Sequence, residues 1–407
     1  MKTLDVWYCG WGQRWRLGTL AQGREKILFE YSVEALAQRL ELSPFRLPLR
    51  PLAYGDFPEH QEQLPGLIAD ALPDGWGRLL MDRLFNQARL NPAEASPLDR
   101  LAFIHDRAIG ALVFEPAPPN DLTPADVELM EIARHTQLVL ADKATDALVQ
   151  LAIMGAAPHG AKPKVLVQYD PFKHTMSTHP DAAGSPWMVK FQGYGEHRES
   201  CAIEALYCDL ARDAGLEVPT TRWFELDPKT SAFGIERFDR EDGMRVPTLS
   251  FAALLDDDFR LPRRDYRELL RTIRALTRDE REVEKAFIRC IFNVIFHNRA
   301  DHSRNFSFRM NQRYEWKLAP AYDLSYREGV DGRHRMGVMG EYESPGFEHL
   351  LALAKDAQLK ESTARMRIDQ VATAATRFNR RAKDWPIRQV SVRQMSAAIN
   401  RHLKRLG

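Results

Sequence analysis

The chain predicts an α+β fold of two lobes, a small β-rich lobe carrying an extra N-terminal β subdomain and then a larger α-helical lobe. Three observations predict it. Strand-like runs separated by turn residues fill residues 3–30 and again 145–240. From residue 250 the pattern turns helical, and Phe287, Ile288, Ile291, Phe292, Ile295 and Phe296 make one stretch apolar nearly all round, as in a helix buried inside a large lobe. At 407 residues the chain also exceeds one hydrophobic core, so two or three packed units are expected. The divisions expected are 1–120, 121–240 and 241–407, with a crevice between the last two.

Taken in order, Trp7, Trp15, Leu17 and Ile27-Leu28-Phe29 mark the first strands, with turns at Gly10 and Gly23. Leu64-Pro65-Gly66-Leu67 is a turn, and Trp76, Leu79, Leu80 and Leu84 then form one apolar helical stripe. Ala111-Leu112-Val113-Phe114 reads as a strand closed by the Pro116–Pro119 segment, which puts a boundary near residue 120. Four further strands are expected at 165–167, 187–191, 223–226 and 233–236, around a helix at about 199–214 that ends on Gly215 and packs on their sheet.

A composition of 44% hydrophobic and 28% charged residues is that of a globular protein, and a net charge of +1 gives no whole-molecule argument for nucleic acid or membrane. Cys9, Cys201, Cys208 and Cys290 lack the close pairing of a structural zinc site and are read as buried thiols in a reducing compartment. Met1-Lys2 leads straight into strand-like sequence and no apolar run approaches a membrane span, so a cytoplasmic protein is expected.

The chemistry-bearing residues come in a telling order. The small-residue stretch Met154–Lys164 precedes a strand, and such backbone approaches phosphate oxygens closely. By itself it is more often an ordinary surface turn. Lys190 lies in an apolar strand, where an ammonium is costly unless an anion meets it or its charge escapes to water. Glu204, on the helix that follows, is placed to pair with it. Asn298–Phe308 then clusters Asp301, His302 and Asn305 where the apolar helix gives way to a loop, and Leu318–Leu324 sets Asp323 alone among apolar residues. Asn305 and Asp323 supply a hard oxygen pair suited to Mg²⁺ held by few protein ligands, although Asp323 singly is also a plausible helix cap. Together the parts form a phosphoryl-transfer set.

Here the sequence resembles the HipA family of serine/threonine kinases, over nearly its whole length. The resemblance is carried by Leu42–Pro48, Leu72–Gly77, Gly110–Glu115, Glu236-Arg237-Phe238-Asp239-Arg240, Asp301–Ser307 and Pro320–Asp323. It implies a bilobed protein-kinase-like fold and the cofactors ATP and Mg²⁺. The implied ATP-binding set is His159, Gly160, Ala161, Lys162, Pro163 and Lys164 over the phosphates, Lys190 on the phosphates, and the backbone of Glu236, Arg237 and Phe238 at the adenine, with His302, Ser303, Arg304, Asn305 and Tyr322. Asn305 and Asp323 are the implied Mg²⁺ ligands. It further implies a toxin of a toxin–antitoxin system linked to persistence. Its partners would be a HipB-like helix-turn-helix antitoxin, operator DNA contacted only within that complex, and a translation-related substrate such as an aminoacyl-tRNA synthetase.

Two departures stand out. The catalytic aspartate of the kinase pattern lies five positions before the asparagine, and five before Asn305 is Ala300, whose methyl accepts no proton. Three readings follow: an introduced inactivating change, a naturally non-catalytic relative, or a base function moved to Asp301. Ala156 and Ala157 also stand where relatives carry a phosphorylatable hydroxyl in the phosphate loop. The basic run from Arg377 to Arg405 is either a DNA-contacting face or a solvated helix face. A hydrolytic metal cluster of His297, Asp301, His302 and Asp323 fits no recognised spacing, and Trp7, Trp11 and Trp15 read more simply as strand aromatics than as a binding face.

Overall fold

The computed structural model describes residues 2–117, 128–179 and 182–406. It divides into two compact units, residues 1–198 with 222–249 and 253–256, and residues 199–221 with 250–252 and 257–407. The boundary expected near residue 120 falls at 118–127, outside the described residues.

In the first unit, β1 (Lys2–Tyr8), β2 (Trp15–Gln22) and β3 (Ile27–Tyr31) form an antiparallel sheet with β4 (Ala53–Tyr54) and β5 (Leu112–Glu115), ordered β4-β3-β2-β1-β5. Leu4, Val6 and Tyr8 are buried while their neighbours are not, the period of two that a half-buried strand imposes. The helices of this unit include α1 (Gly75–Gln87), α2 (Leu129–Leu140) and α3 (Leu148–Gly155). The last two were not predicted, and α3 lies in a stretch read as strand-rich.

A second sheet holds β6 (Lys164–Asp170), β7 (Thr175–Ser177), β8 (Ser185–Phe191), β9 (Thr221–Glu225) and β10 (Ser231–Glu236), in the order β7-β6-β8-β10-β9. Its core joins Trp76 and Leu80 of α1, Leu151 and Met154 of α3, and Val165, Val167, Trp187, Val189 and Phe191 of the strands. Each such fully buried side chain contributes about 1.5–3 kcal/mol.

The second unit opens with α4 (Glu199–Asp213), ended by Gly215 at φ +89°. This is the helix expected at about 199–214, and it groups with the second unit. Its Leu206 and Leu210 are buried, and its Tyr207 ring lies edge-on to Phe292 and Phe296 of the same unit, at 6.3 and 6.1 Å between ring centres.

Helix α5 (Tyr266–Thr277) starts with a capping box of Asp265 and Glu268, and α6 (Glu280–Ile295) starts on Asp279, whose side chain accepts from the Arg281 amide at 3.0 Å. Phe287, Ile291, Phe292 and Ile295 of α6 are fully buried, as the continuous apolar run predicted. Beyond it come the hairpin β11 (Ser307–Met310) and β12 (Trp316–Leu318), then α7 (Phe347–Asp356), α8 (Glu361–Thr376) and α9 (Gln389–Leu403).

Three cysteines are buried as expected, and Cys9 is partly exposed. Among the described residues no helix is long and apolar enough to cross a membrane.

Candidate functional site

In the first unit, Lys190 is buried on β8. Its side chain lies on the face opposite Val189 and Phe191, with Lys164 of β6 and Phe233 of β10 directly across in register. The Lys190 Nζ sits 5.9 Å from the Phe233 ring centre. Two buried lysines opposite one another concentrate positive charge at one point of the sheet. Lys164 Nζ donates to the carbonyl of His159, which draws the loop His159–Lys164 back over its own strand.

The Glu236–Arg240 run does structural work through its side chains. Asp239 is buried, accepts both Arg237 (2.9 and 2.8 Å) and Arg240 (2.6 Å), and takes the Gly110 amide at 2.8 Å. Burial opposes its charge, but the two guanidiniums win and hold the carboxyl far below the usual range. Arg245 spreads over the carbonyls of Asp106, Ala108, Gly110 and Leu112, a fork that only an arginine supplies.

In the second unit, the loop after α6 is built around two side chains. The Asn305 amide nitrogen donates to the carbonyl of Ala300 at 2.7 Å and to Asp323 Oδ2 at 3.1 Å. Its remaining polar atom, the carbonyl oxygen, is an acceptor. Asp323 sits at φ +55°, a left-handed conformation that costs a non-glycine residue about 1–3 kcal/mol and clusters at functional sites. Asn305 and Asp323 are thus brought side by side.

Buried Arg289 of α6 ties the two segments, donating to the carbonyls of Asn305 at 2.6 Å and Tyr322 at 3.0 Å and lying 4.3 Å from the Phe306 ring centre. The Tyr322 hydroxyl bonds Ser307 at 2.6 Å and donates to the Arg304 carbonyl at 2.9 Å. Ser303 donates to Asp257, while His302 and Arg304 both lie against the Phe259 ring.

Asp301 faces inward. It is 1% exposed, and three donors hold it: Tyr266 and His334 on Oδ2, at 2.9 and 2.8 Å, and the Arg335 amide on Oδ1 at 2.8 Å. Desolvation raises its pKa, yet His334 and the three hydrogen bonds outweigh that and hold the carboxyl below its ordinary value. Tyr266 in turn accepts from Asn293, which accepts from Asn298. Sequence reasoning missed Arg289, Tyr266 and His334. For Arg289 a signal existed, an arginine set between Ile288 and Cys290 in the apolar run. Tyr266 and His334 are 35 and 33 positions from Asp301, and no local pattern joins them to it.

His297 lies apart from Asp301, His302 and Asp323 in its bonding: its ring pairs with His402 of α9 at 2.9 Å and with Glu328 at 3.1 Å. Burial, then neighbouring positive charge, pushes His297 down to about 4 and His402 down to about 3. An unfolded histidine titrates near 6.5, so this pair contributes stability that is intact above about pH 6.5 and lost as pH falls toward the folded values. The melting temperature, followed in thermal melts at stepped pH, should therefore hold above pH 7 and drop by several degrees between about pH 6.5 and 4. A flat profile over that window would show that the pair is not buried in neutral form.

Residues 156–378 match the HipA-like C-terminal domain and residues 4–115 the HipA N-terminal domain. Among solved structures, a chain of the Shewanella oneidensis MR-1 toxin–antitoxin complex of HipA, HipB and operator DNA superposes with a TM-score of 0.74 at 16% identity, over 99% of this chain and 97% of that one. The Helicobacter pylori proinflammatory kinase CtkA gives a TM-score of 0.39 at 11% identity over 55% of this chain and 89% of that one, too remote to bear on the fold. No curated protein matches. With both domains found in order and more than half the chain within the C-terminal one, the protein belongs to the HipA family.

Proposed function

We propose that this HipA-family chain is a toxin-type protein kinase by architecture, binding ATP and Mg²⁺ to transfer the γ-phosphoryl group to serine or threonine of a translation-related protein, and that Ala300 cripples the transfer step. The observation that carries the reading is the Asn305–Asp323 pair. With its amide nitrogen engaged on both sides, Asn305 presents a carbonyl oxygen beside the Asp323 carboxylate. Such a hard, two-residue donor set fits Mg²⁺, which keeps waters and takes its other ligands from phosphates. Held there, the ion would neutralise charge on the transferring phosphoryl group.

In the same reading Lys190 and the loop His159–Lys164 meet the phosphates, the backbone of Glu236, Arg237 and Phe238 meets the adenine, and His302, Ser303, Arg304 and Tyr322 complete the nucleotide contacts. Asp301 is a positioning residue: its oxygens are committed to Tyr266, His334 and the Arg335 amide, so it anchors the loop rather than accepting a substrate proton. Replacing the metal-holding acid, D323N, should lower MgATP affinity at least about tenfold in titration calorimetry, the range that even outer ligand partners command. Unchanged MgATP binding would remove Asp323 from the site.

A non-catalytic nucleotide-binding protein acting through a HipB-like antitoxin and DNA is favoured by two observations, the methyl at position 300 and the C-terminal surface. Arg381 and Arg388 are committed to Asp213 and Glu199, but Arg377, Arg380, Lys383, Arg393, Arg401, Lys404 and Arg405 are exposed. Such cations suit DNA phosphates within an antitoxin complex.

A further inference from the structure

The segment Leu72–Gly77 carries a contact that its position in sequence does not suggest. Asp74 occupies the N-cap of α1, where an aspartate ordinarily accepts from the first amides of its own helix. It makes no such bond; its Oδ1 instead accepts the amide of Gly160, in the candidate phosphate loop, at 2.5 Å. Two residues on, the Trp76 amide donates to the carbonyl of the same Gly160 at 3.1 Å, and the Trp76 indole donates to the Lys164 carbonyl at 3.0 Å. Both backbone groups of one loop residue are therefore taken by a segment 86 positions away.

The glycines of that segment are explained by the same closeness. Gly75 is at φ +39°, and a Cβ on it would lie 2.8 Å from the Cα of Ala161; a Cβ on Gly77 would lie 2.3 Å from the carbonyl oxygen of Ala156. Two backbones pass too close here for any side chain between them. Loop 156–163 is thus gripped near its start and at its middle by residues of the N-terminal domain match.

We propose that Asp74 and Trp76 form a latch that fixes the phosphate loop, so that affinity for the phosphate end of the nucleotide is set by the N-terminal segment. The proposal rests on the ATP-binding reading given above. A loop held in one conformation gives up little freedom on meeting a ligand, whereas an unlatched loop must be ordered by it. Asp74 is a positioning residue in this account, acting through Gly160.

The test uses the full chain with D74A and D74N. Alanine removes the acceptor, while asparagine keeps a carbonyl oxygen that takes the Gly160 amide. Hydrogen exchange of peptides spanning 156–163 should speed up in D74A and return near wild type in D74N. ATP affinity should fall about tenfold in D74A, the scale of one hydrogen bond to a charged group, and recover in D74N, while affinity for adenosine stays unchanged in both. Loss of ATP and adenosine binding together would mark a merely structural role and overturn the latch. So would faster exchange in D74A with ATP affinity intact, an outcome that leaves the ATP-binding reading standing. A wild-type chain that binds no nucleotide would sink that reading, and the latch's function with it, whatever the exchange shows.

Discussion

An A300D chain should transfer phosphate about 10²–10⁴ times faster than the chain as it stands, the contribution a positioned general base makes. The backbone is already prepared for it. The Ala300 carbonyl accepts from the Asn305 side chain at 2.7 Å, a bond that does not depend on the side chain at 300 and should survive the substitution. Ala300 is also partly exposed, unlike its neighbour Asp301, so a carboxylate there pays little desolvation. MgATP affinity should be nearly unchanged, because binding depends on charge neutralisation and positioning by other residues. The measurement is incorporation of γ-labelled phosphate into candidate proteins, alongside the melting temperature with and without MgATP. If A300D labels nothing while MgATP still raises the melting temperature, the kinase reading fails and the nucleotide-binding partner of an antitoxin takes its place.

How much of this was legible in the sequence follows from the range of the interactions. Periodicity and turn residues act locally, so β1 to β3, the strands around Lys190 and the buried helix α6 were readable from their own residues. Asn305 and Asp323 were readable because Asn305 lies in a polar cluster where an apolar helix gives way to a loop, and Asp323 stands alone in an apolar stretch. What escaped was long-range. The Asp74–Gly160 bond joins two turns, each ordinary by itself. Asp301 presented the opposite problem: one position from the vacancy at Ala300, it invited a catalytic reading that only its inward-facing partners argue against.

Those partners lead to the second large effect, on stability rather than turnover. D301A should destabilise the second unit by about 3–5 kcal/mol, the cost of removing one member of a buried pair and stranding the other. Three donors would lose their acceptor at once, since His334 and Tyr266 are fully buried and the Arg335 amide has its bond to the same carboxylate. D301N keeps an acceptor oxygen but not the charge that His334 faces, so its cost should be smaller, about 1.5–3 kcal/mol. The pH dependence separates charge from shape. A carboxyl held below its ordinary value stabilises the fold above about pH 3.9 and loses that contribution as pH falls through the folded value, so the gap between wild type and D301N should narrow below about pH 4. Denaturant midpoints at stepped pH measure both quantities. A relocated base would behave differently: D301N would then unfold like wild type at every pH and lose whatever transfer the parent chain retains, because a base must keep an oxygen free for its substrate while an anchor spends every oxygen on the protein.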